Sequence, residues 1–246
     1  MESIIFTTDA SIVLAELLGG IRHENLFIVA DKHTVGFCDR LFEKVDWIPS
    51  HVAVLDCGEE YKSIESVSRI WMMLSKRGAR RSSILVCVGG GVVTDLGGFA
   101  ASTFKRGMRC INVPTTLLAQ VDASLGGKTG FNFNGLKNEI GTFSIPEKVI
   151  IDVHFLSHLP VRERMSGFAE MIKHGLLSDR EYLTRLLSLE YQETSPEDFL
   201  ELIRRSVTIK DEIVSQDPRE QGLRKVLNFG HTIGHCIEQY YGYEKY

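Results

Sequence analysis

The sequence predicts an α/β domain with a mostly parallel sheet, followed by an all-α domain. Three observations support this fold class: short apolar runs alternate with helical patterns over the first 150 residues or so, the alternation stops near residue 151, and only helical patterns follow. Strands that alternate with helices pair in parallel, because each helix returns the chain to the same edge of the sheet. We place the domains at residues 1–155 and 156–246.

The individual elements follow from residue type and spacing. Short runs rich in β-branched residues predict strands at 4–7, 26–30, 52–55, 84–88, 110–113 and 149–151. Between the third and fourth runs, Ile64, Val67 and Ile70 recur at helical spacing. Later helical patterns cover 161–177, 181–190, 196–215 and 228–240. The third of these has a clear start, since Ser195 can cap a helix and Pro196 suits its first position.

The composition is that of an ordinary globular protein. Of the 246 residues, 43% are hydrophobic and 24% are charged, and the formal net charge is −4. This balance argues against general binding to nucleic acid or to an acidic membrane, so any anion site must be local. The five cysteines form no C-x-x-C pair, which is typical of free thiols in a reducing compartment. With no secretory signal and no long apolar run, we expect a cytoplasmic protein.

The first candidate motif is a glycine turn in the segment "VGGGVVTDLGG". A strand pattern ends in Gly89, Gly90 and Gly91, and a helical pattern begins at once. Glycines let a ligand approach the backbone closely, and the free N–H groups of a new helix bind phosphate. A tight turn without a ligand is the alternative. Asp95 either accepts a hydrogen bond from a sugar hydroxyl or favours the helix dipole.

Basic residues on glycine-containing loops form the second motif. Lys128 follows a glycine pair, Lys137 and Asn138 close a second loop, and Arg106 stands upstream in "FKRG". Lysines placed in this way suit a small, strongly anionic substrate, because each contributes a point charge near phosphate or carboxylate. The alternative is a set of solvated surface lysines.

Two helical segments carry further candidates. Glu170, Lys173 and His174 share one helix face, which predicts either a metal ligand beside an anion contact or a surface ion pair. Arg224, Asn228, His231 and His235 follow at i, i+4, i+7 and i+11, so we predict one polar stripe on a single helix facing the glycine turn. Two histidines at i, i+4 can share a cation, or one can bind metal while the other handles protons. The predicted helix over 196–215 places Lys210 where its side chain can point toward the same site.

Together these segments resemble the 3-dehydroquinate synthase family of sugar-phosphate cyclases. The resemblance runs from about residue 25 to the end and is most specific in "VGGGVVTDLGGFAAS", "NVPTTLLAQVDASLGGKTG", "GLKNEIG", "AEMIKHGLL" and "RKVLNFGHTIGHCIE". It implies an N-terminal nucleotide-binding domain, a helical C-terminal domain, and an active site in the cleft. It also implies a homodimer that uses NAD and zinc, or another divalent metal such as cobalt.

The resemblance assigns roles residue by residue. The implied NAD contacts are Asp31, Glu59, Lys62, Gly90, Gly91, Val92, Asp95, Thr115, Thr116, Leu118, Asp122, Lys128 and Lys137. The implied substrate contacts are Asn138, Lys128, Lys173, Lys210, Arg224 and Asn228. Glu170 and His231 correspond to metal ligands, His235 to a proton-handling residue, and Arg106 to a contact with the phosphate in the neighbouring subunit. The sequence departs from the family at His33 and His158, where Asn and Thr are more usual.

The implied reaction converts 3-deoxy-D-arabino-heptulosonate 7-phosphate, a small anionic sugar phosphate, to 3-dehydroquinate and phosphate in the shikimate pathway. It combines NAD-recycling oxidation, phosphate elimination, reduction and an intramolecular aldol closure. The alternatives are another sugar-phosphate cyclase, such as a 2-deoxy-scyllo-inosose synthase-like enzyme, or an inactive NAD-binding module. The family's third metal ligand is a histidine at a position beyond Tyr246. We therefore expect this 246-residue form to bind NAD but to cyclise the substrate weakly or not at all.

Overall fold

A computed structural model describes residues 3–190 and 194–241, without the side chains of His235, Glu238 and Gln239. Its strands are β1 (Ile4–Thr7), β2 (Leu26–Asp31), β3 (Val52–Leu55), β4 (Ile84–Gly89), β5 (Arg109–Pro114), β6 (Lys128–Phe133), β7 (Leu136–Phe143) and β8 (Lys148–Asp152). Six of them form one sheet in the order β1-β8-β5-β4-β2-β3, and every neighbouring pair in it is parallel. The predicted parallel sheet is confirmed.

Helices cover both faces of this sheet. The α-helices are α1 (Ala10–Leu18), α2 (Cys38–Leu41), α3 (Ile64–Lys76), α4 (Gly91–Thr103), α5 (Val161–Ser178), α6 (Arg180–Leu187), α7 (Pro196–Gln216) and α8 (His231–Tyr240). On one face, Val67 and Leu96 pack against Val29; on the other, Leu14 and Phe42 pack with Val86. Strand β4 is buried along its whole length. Burial on both faces explains the continuous apolar runs of the central strands.

A β-hairpin that the sequence patterns above did not predict lies outside this sheet. Strands β6 and β7 pair in an antiparallel arrangement and are joined by Asn134 and Gly135, both with positive φ. An Asn-Gly pair is the preferred two-residue hairpin turn, so a local signal was present. The strands themselves contain Gly, Lys and Asn beside only three β-branched residues, Thr129, Ile140 and Thr142, which made the pattern weak. The hairpin carries Lys128, Lys137 and Asn138.

The C-terminal part is helical, as predicted, but the prediction of one helix carrying Arg224, Asn228, His231 and His235 is wrong. A 3-10 helix covers Leu223–Asn228 and α8 begins only at His231. Between them Phe229 is extended, with ψ of 126°, and Gly230 has φ of +84°. Glycine adopts this left-handed conformation readily, so the chain turns here where the spacing of polar residues suggested continuity.

The helical part packs against the sheet through a shared core. Val149 and Ile151 of β8 belong to the same buried cluster as Phe199 and Ile203 of α7 and Leu227 of the 3-10 helix. The domain boundary at 155/156 stays a prediction. None of the helices in the described ranges is both long enough and apolar enough to cross a membrane.

Candidate active site

A cleft of about 1780 Å³ lies between the carboxyl ends of the central strands and the helical part. Asp31 closes β2, Gly90 follows β4, and Thr115 follows β5, and all three line the cleft. Glu170 of α5 and Lys210 of α7 line it from the helical side. Open α/β sheets bind ligands in the crevice outside the carboxyl ends of their strands. The fold therefore places this cleft where a ligand site is expected.

The glycine turn forms one wall of the cleft. Strand β4 ends at Gly89, Gly90 is the N-cap of α4, and no side chain caps that helix. A Cβ at Gly89 would lie 2.5 Å from the side chain of Val93, and one at Gly90 would lie 3.0 Å from that of Thr116. Close packing thus accounts for glycine at these two positions. The uncapped first turn of α4, which contains no acidic residue, still favours an anion.

A lysine–carboxylate pair lies beside this turn. The Nζ of Lys62 is 2.6 Å from Oδ2 of Asp95 and donates to Oδ1 of Asn138 at 2.5 Å. Burial raises the pKa of Asp95 to about 6, although the charge of Lys62 opposes this shift. The Nδ2 of Asn132 donates to Oε1 of Glu59 at 2.9 Å. These contacts fix the hairpin against the segment that contains Glu59 and Lys62.

A second lysine–carboxylate pair lies on the helical side. The Nζ of Lys210 donates to Oδ1 of Asp122 at 2.5 Å and to the backbone oxygen of Asp122 at 2.6 Å. Burial acts to raise the pKa of Asp122. The charges of Lys210, Lys173 and His174 outweigh it and hold the pKa of this carboxyl well below its ordinary value of 3.8. This end of the cleft is therefore rich in positive charge.

The predicted face of α5 is buried rather than exposed. Glu170 forms an ion pair with Lys173, and both side chains are less than a tenth exposed. The Nζ of Lys173 also donates to the backbone oxygen of Leu227 at 2.5 Å. His174 has its Nε2 3.3 Å from Oε1 of Glu170 and its Nδ1 2.7 Å from Oγ of Ser206. The ion pair of the alternative prediction is thus present, but its predicted surface position is wrong.

This cluster contains atoms suited to a metal. Ligand atoms of Asp122, Glu170 and His174 all lie within 4.8 Å of one another. Two of them, Oε1 of Glu170 and Nε2 of His174, are buried and lie 3.3 Å apart without a hydrogen bond of good geometry in the described part of the chain. A carboxylate oxygen and an imidazole nitrogen are ligands that zinc accepts, so the donor set of this cluster fits a metal. His231 lines the same cleft and is partly buried.

The segment before α8 contributes a residue that the motifs above did not include. Glu220 accepts from Nζ of Lys128 at 2.5 Å and from Nδ2 of Asn228 at 2.9 Å. Buried Arg224 donates to the backbone oxygens of Pro218 at 2.8 Å and Gly126 at 3.1 Å. In the sequence, the only feature that sets Glu220 apart is its position, four residues before the predicted polar stripe begins at Arg224.

Most predicted site residues share this cleft. Those that line it are Asp31, Glu59, Lys62, Gly90, Gly91, Val92, Asp95, Thr115, Thr116, Leu118, Asp122, Lys128, Lys137, Asn138, Glu170, Lys173, Lys210, Arg224, Asn228 and His231. Arg106 is exposed on a turn outside the cleft, with φ of +65°. The side chain of His235 lies outside the described residues. The roles of all these residues stay predictions.

Sequence comparison agrees with this geometry. The family profile for the N-terminal domain of 3-dehydroquinate synthase matches residues 52–166, and the profile for the C-terminal domain matches residues 167–246. A 3-dehydroquinate synthase of Parabacteroides distasonis is 45% identical over 238 residues, which are 96% of this chain and 67% of that protein. This chain belongs to the 3-dehydroquinate synthase family. A family member from Streptococcus pyogenes is 42% identical over 96% of this chain and 66% of its own length.

Solved structures of related cyclases share the fold. A 2-deoxy-scyllo-inosose synthase complexed with carbaglucose-6-phosphate, NAD+ and Co2+ has a TM-score of 0.82 and 28% identity, over 96% of this chain and 67% of that one. The 2-epi-5-epi-valiolone synthase ValA from Streptomyces hygroscopicus, with NAD+ and Zn2+ bound, has a TM-score of 0.85 and 29% identity over the same shares. The chain thus spans about two thirds of the length of the relatives it matches.

Proposed function

We propose that this cleft is the active site of a 3-dehydroquinate synthase, which converts 3-deoxy-D-arabino-heptulosonate 7-phosphate to 3-dehydroquinate and phosphate. The observation that carries the proposal is the meeting of the glycine turn, the carboxylates and the basic side chains in one cleft. It is supported by relatives named for this activity at 42–45% identity. The related cyclases solved with NAD+ and Co2+ or Zn2+ support the same pair of cofactors here.

Glu170 and His231 would hold the metal, with substrate oxygens or a further ligand completing the site. Carboxylate oxygen and imidazole nitrogen are ligands that zinc and cobalt accept, and the buried carboxylate of Glu170 belongs to a cluster whose ligand atoms lie within 4.8 Å of one another. When bound, NAD+ supplies hydride acceptance and donation, and the metal supplies Lewis acidity. The first turn of α4 would receive the pyrophosphate, and Asp95, ionised at neutral pH, would accept from a ribose hydroxyl.

The basic residues would hold the substrate's carboxylate and phosphate. Lys128, Lys173 and Lys210 each form an ion pair with a carboxylate of the protein. Among the described residues Arg224 has backbone oxygens as hydrogen-bond acceptors and forms no ion pair within 4.0 Å. An anion that binds Arg224 therefore does not have to compete with a carboxylate of the protein for its charge. Asn228 and Asn138 would add neutral hydrogen bonds that orient the substrate.

The remaining roles come from the family resemblance. His235 would handle a proton on the substrate, and Arg106 would reach the phosphate bound in the partner subunit of a homodimer. The exposed position of Arg106, away from the cleft of its own chain, suits that role. We also propose that the protein works in the cytoplasm, where its unpaired cysteines stay reduced.

The test is substrate binding and turnover in the presence of NAD+ and Zn2+. Calorimetry would measure binding of the heptulosonate phosphate, while inorganic phosphate and the carbocyclic product are followed together. We expect Arg224→Met to weaken binding at least tenfold, and Arg219→Met, which changes an exposed arginine outside the cleft, to change it less than twofold. Equal effects of the two variants, or steady NADH accumulation from a simple alcohol, would contradict the proposal.

A further inference from the structure

A second group of metal-binding side chain types lies where β2 and β3 end. Asp31 is the last residue of β2, His33 follows it, and Cys57 stands two residues after β3. Since β2 and β3 are adjacent and parallel, their carboxyl ends meet at the same edge of the sheet. One ligand atom from each of the three residues lies within 4.8 Å of the other two.

The loop that carries these residues is well fixed. Oδ1 of Asp31 accepts from the backbone N–H groups of His33 and Thr34, both at 2.9 Å. The hydroxyl of Thr34 donates to the backbone oxygen of Val88 in β4 at 2.8 Å. The second oxygen of Asp31, the imidazole of His33 and the thiol of Cys57 make no hydrogen bond within the described ranges. Three ligand atoms of different chemistry therefore converge with no other protein partner.

The local charge suits a cation. Lys32 would repel one, but its Nζ is held by Oδ1 of Asp56 at 2.5 Å. Oδ2 of Asp56 also accepts from Nη1 of Arg69 at 2.8 Å. The two cations are balanced by the carboxylates of Asp56 and Asp31, so a thiolate at Cys57 would add a net negative charge.

We propose that Asp31, His33 and Cys57 bind a zinc-like divalent cation, which competes with NAD+ for this end of the cleft. As the metal–sulfur bond forms, the Cys57 thiol releases its proton to solvent, and water fills the fourth position. Zinc ligand atoms lie roughly 3.4–3.7 Å apart in a tetrahedral site. The ligand atoms here lie within 4.8 Å of one another, so binding requires a small movement, which the exposed side chain of His33 can make by rotation. A thiolate selects zinc over magnesium or calcium.

The competition rests on the proposed function, because it requires NAD+ to occupy the cleft. The metal site itself does not depend on that function. Asp31, His33 and Cys57 all line the cleft beside Gly58 and Glu59. The family resemblance places the adenosine end of NAD+ at Asp31 and Glu59. A metal coordinated by Asp31 would remove the carboxylate that this end of the nucleotide uses.

Cobalt titration tests the metal site directly, since Co2+ bound to a thiolate gives a sulfur-to-cobalt charge-transfer band in the near ultraviolet. The ligands proposed for the catalytic metal contain no sulfur, so they give no such band. We expect the band in the wild-type protein and in Cys236→Ser, which removes the exposed cysteine on α8. We expect it to vanish in Cys57→Ser and to need at least tenfold more Co2+ in His33→Asn. No band, or a band lost in Cys236→Ser, overturns the site.

Competition is measured as the ratio of NAD+ dissociation constants with and without saturating Zn2+. We expect this ratio to be at least ten for the wild type and close to one for Cys57→Ser. A charge-transfer band together with a wild-type ratio of one would disprove the competition. If the metal-free protein bound no NAD+, the proposed function would fail, while the cobalt band would still decide the metal site.

Discussion

Two buried lysine–carboxylate pairs line the cleft, and their acids differ in how they titrate. Beside the glycine turn, Lys62 pairs with Asp95, and the pKa of Asp95 is raised to about 6. On the helical side, Lys210 pairs with Asp122, and the pKa of Asp122 is lowered. Burial acts on both acids in the same direction, so the difference comes from the groups around each pair.

The surroundings explain the contrast. Asp95 has one nearby cation and feels the negative charges of Glu59 and Asp122. Asp122 has Lys210 and, in addition, the charges of Lys173 and His174. The end of the cleft at the glycine turn therefore carries a carboxylate that is costly to ionise, while the helical end carries surplus positive charge. The two ion pairs are alike, so the charges around each pair, and not the pair itself, account for the different pKa values of Asp95 and Asp122.

Removing the single cation beside Asp95 would have the largest effect. Lys62→Met removes the cation that favours the ionised form of Asp95, so this acid must either stay charged without a partner or take up a proton, and we expect the free energy of unfolding to fall by about 3 kcal/mol at pH 7.5. Urea denaturation measures it, and Lys62→Met with Asp95→Asn should recover part of the loss. As a control, Lys32→Met breaks an exposed pair and should cost less than about 1 kcal/mol. Equal losses for the two lysines would contradict this explanation.

The corresponding change on the helical side should cost less. In Lys210→Met, Asp122 keeps the nearby charge of Lys173, so we expect a loss of about 2 kcal/mol at pH 7.5. The same urea experiment measures it under the same conditions. A loss larger than that of Lys62→Met would show that the surrounding cations do not share the stabilisation of Asp122.

His174 connects the cationic end to the proposed metal site. Its ring lies between Ser206 and Glu170, the proposed carboxylate ligand, and removing a residue that contacts a metal ligand typically weakens metal binding. We expect His174→Leu to raise the Zn2+ dissociation constant about tenfold in a competition with a chromophoric chelator. His174→Gln, which keeps a donor, should recover part of that loss. If the two variants bound Zn2+ equally, the contact between the residue at position 174 and Glu170 would play no part.

The smallest expected effect is a dependence of stability on pH. Because the folded protein holds a proton on Asp95 up to about pH 6, well above the ordinary pKa of 3.8, it gains stability from this group as pH falls. Between pH 7.5 and 5.5 the gain should be about 1 kcal/mol. It is read as the difference in unfolding free energy between the wild type and Asp95→Asn. The lowered pKa of Asp122 has the opposite effect: the stability that it contributes is lost only as pH falls below about its ordinary pKa of 3.8. A difference that does not change with pH would refute the shift at Asp95.

The sequence was informative where one local pattern decides the structure. The parallel sheet, the helical second half, the start of α4 behind the glycine turn and the shared face of Glu170, Lys173 and His174 all follow from periodicity and composition. The contact of Lys62 with Asp95 and Asn138 joins three distant segments, which no local pattern encodes. The turn at Gly230 was invisible for a related reason, because polar spacing does not report backbone φ.

The turn at Gly230 separates two of the predicted site residues, Arg224 and His231. Arg224 is anchored by Asp217, which accepts its backbone N–H, and by the carbonyls of Pro218 and Gly126. His231 is carried by the first turn of α8, on the other side of Gly230. The proposed anion contact Arg224 and the proposed metal ligand His231 thus lie on separate pieces of backbone, so a substitution at one of them need not displace the other.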